Sequence, residues 1–343
     1  MAYSRKNDNV IIIWVFTCIW MISCRPAAEV PALLQAKVDT DRRVIITADD
    51  YGVSESINEG VLFAARQGCI SNISAFTNFP QSILGLKEIA SEFPDLGIGV
   101  HLNINAGQPV SDPDLIPSLV NDNGNFYDVE EFLIHLKKIS KEEVFAEFQA
   151  QINVLINNGI RLDHISSHYG VCSLYPPYFE MRNKLALEYD VPVRSPVTGS
   201  RKYPSVYMSH SGRKLVRTLA RKLTFRSPST AIQLKQNLRL EEMMKKSAKL
   251  DSMGIRHPDL MIDGFYGDPT PSNLIRILKN LPPGNSEIIV HLGNFRRQMV
   301  YPPGLDTLYL HNREFELMTI SSPYVKEYMT SLKIEKITYS DLY

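Results

Sequence analysis

From Arg43 onward the chain alternates short apolar runs with stretches of helical periodicity. Val44–Thr47 is an unbroken apolar run leading into the acidic pair Asp49 and Asp50, which predicts a strand buried on both faces. Ser56–Gln67 repeats apolar residues at Ile57, Val61, Leu62 and Ala65, which predicts a helix stopped by Gly68. The same reading predicts strands at Ile73–Phe76, Ile98–Ile104, His164–His168, Val191–Arg194, Leu260–Ile262, Ile288–His291 and Ile334–Tyr339. It predicts helices at Ser82–Glu92, Lys141–Asn157, Pro177–Tyr189, Glu241–Met253, near Ser272–Leu281 and across 311–331. Apolar strands alternating with helices specify a parallel α/β sheet covered on both faces. About seven or eight such units favour a distorted (β/α) barrel of the TIM type over an open doubly wound sheet. No GxGxxG follows the first strand and no GxxxxGK[ST] occurs, which removes dinucleotide and P-loop readings.

Two segments break the alternation. Arg5 and Lys6 precede an apolar run from Val10 to Ile22, followed by Ser23 and Cys24. A basic start, an apolar run of this length and a small residue before the cut mark an export signal over residues 1–24. The run is short for a membrane span, which needs ~20 apolar residues. Met21–Cys24 resembles a bacterial lipoprotein box, so lipidation at Cys24, plain cleavage and an uncleaved anchor all stand as readings. Each puts the folded part outside the cytoplasm, in the cell envelope, with membrane contact only through this N-terminal anchor. Residues 25–42 read as a tether and 43–343 as one domain. The second segment is a basic insertion at about 197–240, within a stretch from Val191 to Leu240 that has no acidic residue. Leu215, Leu219 and Leu223 put an apolar stripe on a short basic helix there. It is expected to pack on the barrel as a solvated insertion, contact with an anionic membrane surface or an acidic polysaccharide being the sharper alternatives.

Composition adds exclusions. Of 343 residues, 44% are hydrophobic and 22% charged, the balance of an ordinary folded chain. The 37 basic and 37 acidic side chains cancel, which argues against a nucleic-acid partner. Cys18 and Cys24 fall in the signal, leaving Cys69 and Cys172, which form no CxxC pair and are expected as buried thiols.

Four polar sites end predicted strands: Asp49 with Asp50, His101, the segment His164–His168, and His291. In a (β/α) barrel such positions converge on one face. Each alone reads as a turn, a helix cap or a satisfied core histidine. Together they hold imidazoles and carboxylates in a metal-ligand combination. A catalytic divalent ion takes about three protein ligands and keeps a position open for water. A spare carboxylate can take the water's proton, and a further histidine can protonate a leaving amine. Neighbours on a strand point to opposite faces, so Asp49 and Asp50 can play separate roles if the chain turns there. The combination suits hydrolysis of an amide.

These motifs resemble the YdjC-like (ChbG-type) carbohydrate deacetylases over about Val44–Asp341. Ile46–Ser54 with Asn58–Gly60 matches the family's ADD-aromatic-G-x-S…N-x-G signature, and Gly97–Asn103 with Gly107 and Pro109 matches its G-x-H-L-N…G-x-P segment. His164–His168 stands where the family has H-x-D-S-H. Val191–Arg194, Glu287–His291, and Arg313 and Glu314 with Leu317 fit later, looser motifs. The resemblance implies a distorted TIM-type barrel and a divalent metal, Mg2+ or Zn2+, bound by Asp50, His101 and His168. It implies Asp49 as general base and His291 as general acid or transition-state contact. The implied substrate is an N-acetylated amino sugar in a short oligosaccharide, from which acetate is removed. Tyr51, Arg194 and Arg313 are expected to touch that substrate, and a homodimer is an open expectation. Four departures stand out: Tyr51 for phenylalanine, Ser166 for aspartate, Gly170 for histidine and Leu292 for proline. Ser166 implies a lost orienter beside the ligands, a change that typically costs about 10- to 100-fold. That departure favours an alternative, a catalytically weak carbohydrate-binding lipoprotein. A hydrolase acting on another amide or ester is a third reading.

Overall fold

The computed structural model describes residues 42–199, 210–295 and 307–342. The expected signal at 1–24, including Cys24, and the tether up to its last residue lie outside the described residues. Seven parallel strands form one sheet: β1 (Arg42–Tyr51), β2 (Asn72–Ala75), β3 (Gly97–Leu102), β4 (Ile165–Ser167), β5 (Leu260–Ile262), β6 (Gly284–Val290) and β7 (Glu335–Lys336). Their order is β4-β3-β2-β1-β6-β5, and β7 pairs with the start of β1 at Arg43 and Val44. The edges β4 and β5 are joined through residues 193–198, where Val193 pairs with Ile165 and Thr198 with Met261. The sheet thus curls into the expected distorted (β/α) barrel. The strand expected at Val191–Arg194 survives only as these isolated bridges, because Pro192 and Pro196 withhold the N–H groups a longer ladder needs. β1 lies at the centre, and every residue from Val44 to Tyr51 is buried, as two-sided coverage requires.

Twelve helices occur among the described residues: α1 (Glu55–Arg66), α2 (Ser82–Glu92), α3 (Val129–His135), α4 (Lys141–Asn157), α5 (Val171–Leu174), α6 (Pro176–Glu188), α7 (His210–Arg226), α8 (Pro228–Asn237), α9 (Leu240–Ser252), α10 (Pro271–Lys279), α11 (Thr307–Ile320) and α12 (Pro323–Ser331). α2 and α4 have the expected bounds. α4 starts where the Ser140 hydroxyl accepts from the Glu143 N–H. Its buried Glu147 and Gln151 reach the loop after β3: Glu147 accepts from the N–H groups of Val110 and Ser111, and Gln151 brackets the Asn103 backbone. That polar bracket fixes the chain leaving His101.

The helical stretch expected at 311–331 is two helices, since Pro323 begins a new first turn after Ser322. The last expected strand, Ile334–Tyr339, shrinks to β7 because Thr338 opens a 3-10 turn over Tyr339–Asp341. The basic insertion carries α7 and α8. Leu223 is buried and Leu219 half-buried, while the side chain of Leu215 lies outside the described residues. Lys222 and Arg226 both pair with Glu130 on α3. Cys172 is buried, Cys69 is half-buried, and both are free thiols. No helix among the described residues is long and apolar enough to cross a membrane.

Candidate active site

The C-terminal end of β1 is bent. Asp50 has φ +67°, and the β1–β2 register shifts between Ala48 and Tyr51. Aspartate tolerates that left-handed conformation better than most residues. The bend sends two adjacent carboxylates to different partners. Just beyond it, the Asn58 side chain accepts from Gly52 N at 2.7 Å, and the Ser54 hydroxyl caps α1 by accepting from Ile57 N. These residues of the opening motif therefore hold the turn.

Asp50 Oδ1 lies 3.5 Å from His101 Nε2, at the end of β3, and 3.4 Å from His168 Nδ1, in the turn after β4. One ligand atom from each of these three residues falls within 4.8 Å of the others. Oδ1 is buried without a hydrogen-bond partner, a costly state for a carboxylate oxygen facing two imidazole nitrogens. The donor set fits a divalent cation. Two ligands ~2.1 Å from one ion at a tetrahedral angle stand ~3.4 Å apart, which is the spacing seen here. Phe76 packs edge-on against both imidazoles, with centroids 5.1 and 4.9 Å away. Burial pulls the His101 pKa down to about 3 against the charges of Asp49 and Asp50, so the imidazole is neutral at physiological pH, the form a metal ligand requires. For Asp50, burial raises the pKa, but Arg313 and His168 outweigh it and hold the carboxyl well below the usual range.

Asp49 faces Arg194 instead, in a forked pair of 2.7 and 2.8 Å. The same guanidinium also bonds Glu287 on β6 at 2.8 Å. Burial raises the Asp49 pKa, but the charge of Arg194 prevails and brings it to about 2. His291 follows β6, with its N–H donating to Glu316 of α11 at 2.6 Å and its ring 4.9 Å from Tyr266. Its Nδ1 is buried with no hydrogen-bond partner, and burial lowers its pKa to about 4. Asp263, directly after β5, has its pKa raised to about 7 by burial, with the charge of Asp49 adding and Arg194 opposing. Burial likewise pushes Glu316 well above the carboxylate range.

Ser166 restores the orienter that its identity seemed to remove. His101 Nδ1 is 2.7 Å from Ser166 Oγ, and Ser166 Oγ is 2.9 Å from Ser74 Oγ. Ser74 Oγ is 2.8 Å from His164 Nε2, and His164 Nδ1 is 3.1 Å from Asp163 Oδ2. One arrangement of hydrogens satisfies every member: His101 donates to Ser166, Ser166 to Ser74, Ser74 to His164, and His164 to the Asp163 carboxylate. Asn72 at 2.6 Å and Ser340 also donate to Asp163. The expectation of a missing orienter is thus corrected, since hydroxyls and a second histidine span the distance to a carboxylate deeper in the sheet.

His164 and His168, four residues apart, take different roles. His164 is fully buried, stacked on Tyr339 at 4.1 Å, and fits only because Gly99 has no Cβ, which would stand 2.4 Å from the ring. His168 enters the cluster because β4 ends at Ser167 and a turn follows. Tyr51 is 2% exposed and its hydroxyl sits over Gly85, so it packs in the core. Arg194 and Arg313 are also buried, and each is engaged with a site carboxylate, Arg194 with Asp49 and Arg313 with Asp50. They position the site. Sequence reasoning missed Asp263, Glu287, Glu316 and Ser74. Asp263 carried the same signal as the others, a polar residue ending an apolar strand. Glu287 was visible as an acid inside the apolar run of β6. Ser74 and Glu316 carried none.

The sequence profile of the family described as YdjC-like protein matches residues 43–331. A protein named carbohydrate deacetylase from Brevibacillus brevis is 27% identical over 309 residues, covering 88% of this chain and 99% of that one. Another of that name, from Halalkalibacterium halodurans, is 33% identical over 165 residues, or 48% of this chain and 66% of that one. A solved structure from Enterococcus faecalis V583, described as a cellobiose-phosphate cleavage protein, aligns with a TM-score of 0.64 at 23% identity, over 87% of this chain and 98% of that one. It shares the fold.

Proposed function

Because this chain belongs to the YdjC-like protein family, we propose that it is a metal-dependent hydrolase removing acetyl groups from N-acetylated amino sugars in oligosaccharides. The observation that carries this reading is the Asp50–His101–His168 cluster at the carboxyl ends of the strands, with Asp49 beside it. Relatives named carbohydrate deacetylase support the substrate class. A divalent ion held by Asp50, His101 and His168, Mg2+ or Zn2+, would polarise an amide carbonyl and lower the pKa of water. The remaining work falls to this chain's side chains. Asp49, ionised throughout the physiological range, accepts the proton of the attacking water, and Arg194 fixes its orientation. Glu287 bonds the same guanidinium and so helps to hold Arg194 in place against Asp49. His291, neutral and with a free ring nitrogen, faces the leaving amine. Water's oxygen bonds to the acetyl carbon, the C–N bond breaks, acetate leaves, and the proton that Asp49 took from water passes to the amine nitrogen by way of His291.

The alternative of a catalytically weak binding protein rests on Ser166, and the 2.7 Å hydrogen bond between His101 and Ser166 supports the enzyme reading over it. We place the reaction in the cell envelope on the strength of residues 1–24, with Cys24 as the lipid-attachment site. Acetate release from N,N′-diacetylchitobiose tests the activity: it should be abolished by chelator and restored by added metal. No acetate from a panel of N-acetylated sugars, with metal bound, would overturn it and leave a carbohydrate-binding protein.

A further inference from the structure

The basic insertion creates a cavity that the reaction above does not use. α7 and α8 stand against α3 and the segment after β4, and between them lies a space of about 980 Å³. That is the upper end of the ~300–1,000 Å³ usual for ligand sites. Its walls are mostly apolar, Leu133, Leu174, Leu219 and Leu234 with the rings of Phe132 and Tyr175, and Asn105 and Thr224 add polar atoms. Arg217, Arg221 and Lys235 also line it, are exposed, and have no carboxylate within ion-pair distance among the described residues. Tyr169 forms part of the same wall, and its ring packs on His168 with centroids 4.2 Å apart. One aromatic ring therefore separates the space from the proposed metal cluster.

Walls so poor in polar groups suit a hydrocarbon better than a sugar, because sugar hydroxyls buried there would mostly lack partners while each methylene leaving water gains free energy. Three cations at the rim, in a stretch of sequence without a single acid, call for an anion. We propose that the channel is the tail subsite of the deacetylase, and that the substrate is an anionic glycolipid. Its N-acetylated amino sugar sits at Asp50, His101 and His168, its hydrocarbon chain fills the channel, and its acidic group meets Arg217, Arg221 and Lys235. This rests on the deacetylase reading and names the substrate class for the same site.

Two measurements on the full chain keep the two ideas apart. Calorimetric titration with dodecyl phosphate, against inorganic phosphate, reads the channel without catalysis. Dodecyl phosphate should bind at least 100-fold more tightly than phosphate. Ala220→Trp or Ala231→Trp, each putting an indole into the channel, should weaken it at least tenfold while metal affinity and melting temperature stay unchanged. Arg217→Gln with Arg221→Gln, both on the surface, should weaken it without touching the fold. Equal binding of the two phosphates, or no effect of any of these variants, overturns the proposal. The second measurement compares dodecyl and methyl N-acetyl-glucosaminides: KM should be at least tenfold lower for the dodecyl glycoside, and Ala220→Trp should erase the difference. Turnover of both with equal KM overturns the subsite. So does binding to anionic vesicles without discrimination between the glycosides, which marks a membrane-docking face. Tight dodecyl phosphate binding with turnover of neither glycoside would leave the channel standing and defeat the deacetylase reading.

Discussion

Asp49 and Asp50 are neighbours with different duties, and the difference lies in which guanidinium each one meets. Arg194 grips both oxygens of Asp49, whereas Arg313 bonds Asp50 through Oδ2 and leaves Oδ1 facing two imidazoles. Asp49→Asn should keep metal binding, measured by calorimetry, and lower turnover about 100- to 10,000-fold, the usual worth of a general base. Wild-type turnover in that variant would move the base to another residue. His168→Ala should lose metal and activity together, because the cluster then offers two ligands. Ser166→Ala separates orientation from ligation: His101 stays but its Nδ1 loses the 2.7 Å hydrogen bond. Metal affinity should fall about 10- to 100-fold, the usual range for a lost outer partner. An unchanged Kd in Ser166→Ala would show that the relay through Ser74 and His164 does not act on the ligand.

At the scale of elements, legibility in the sequence follows from how local the cause is. α2 and α4 matched their expected bounds because the stop signals are local: Pro94 lies just past α2, and the Ser140 cap and Asn158–Gly159 bracket α4. The strand at Val191–Arg194 did not form as such, because ladder hydrogen bonds depend on the neighbours and on two prolines. α3 went unpredicted, at seven residues too short for periodicity to register. The three proposed ligands were legible because each ends a strand. Ser74 and Glu316 were not, because only the barrel's closure brings them to the site. Gly60 shows the same dependence on tertiary contact. A Cβ there would stand 2.7 Å from the Gly293 Cα, two residues past His291. Gly60→Ala should therefore cost ~1–3 kcal/mol, seen as a lower melting temperature, and should displace His291 enough to reduce kcat. A variant as stable and as active as the wild type would show that the His291 loop yields without consequence.

For the whole molecule, burial of so many ionisable groups in one mouth sets how stability depends on pH. His101 and His291, lowered to about 3 and 4, bind fewer protons folded than unfolded, so their contribution grows as pH rises toward about 6.5. Asp49, lowered to about 2, contributes stability that is present above about pH 4 and lost as pH falls through 2. Asp263 works the other way. Its folded pKa of about 7 exceeds the unfolded value near 4, so between those limits the folded state holds the extra proton and stability falls as pH rises. Asp263→Asn removes that one contribution while leaving the imidazoles and Asp49 in place. Subtracting wild-type from variant unfolding free energies, measured by denaturant titration in metal-free buffer, should give a difference that climbs from about pH 4 to about 7 and is level above and below. The variant should thus gain most over the wild type at pH 8, where the half-buried Asp263 carboxylate is charged beside Asp49. A difference flat across the whole range would mean that Asp263 titrates as it does in water, raised neither by burial nor by the charge of Asp49.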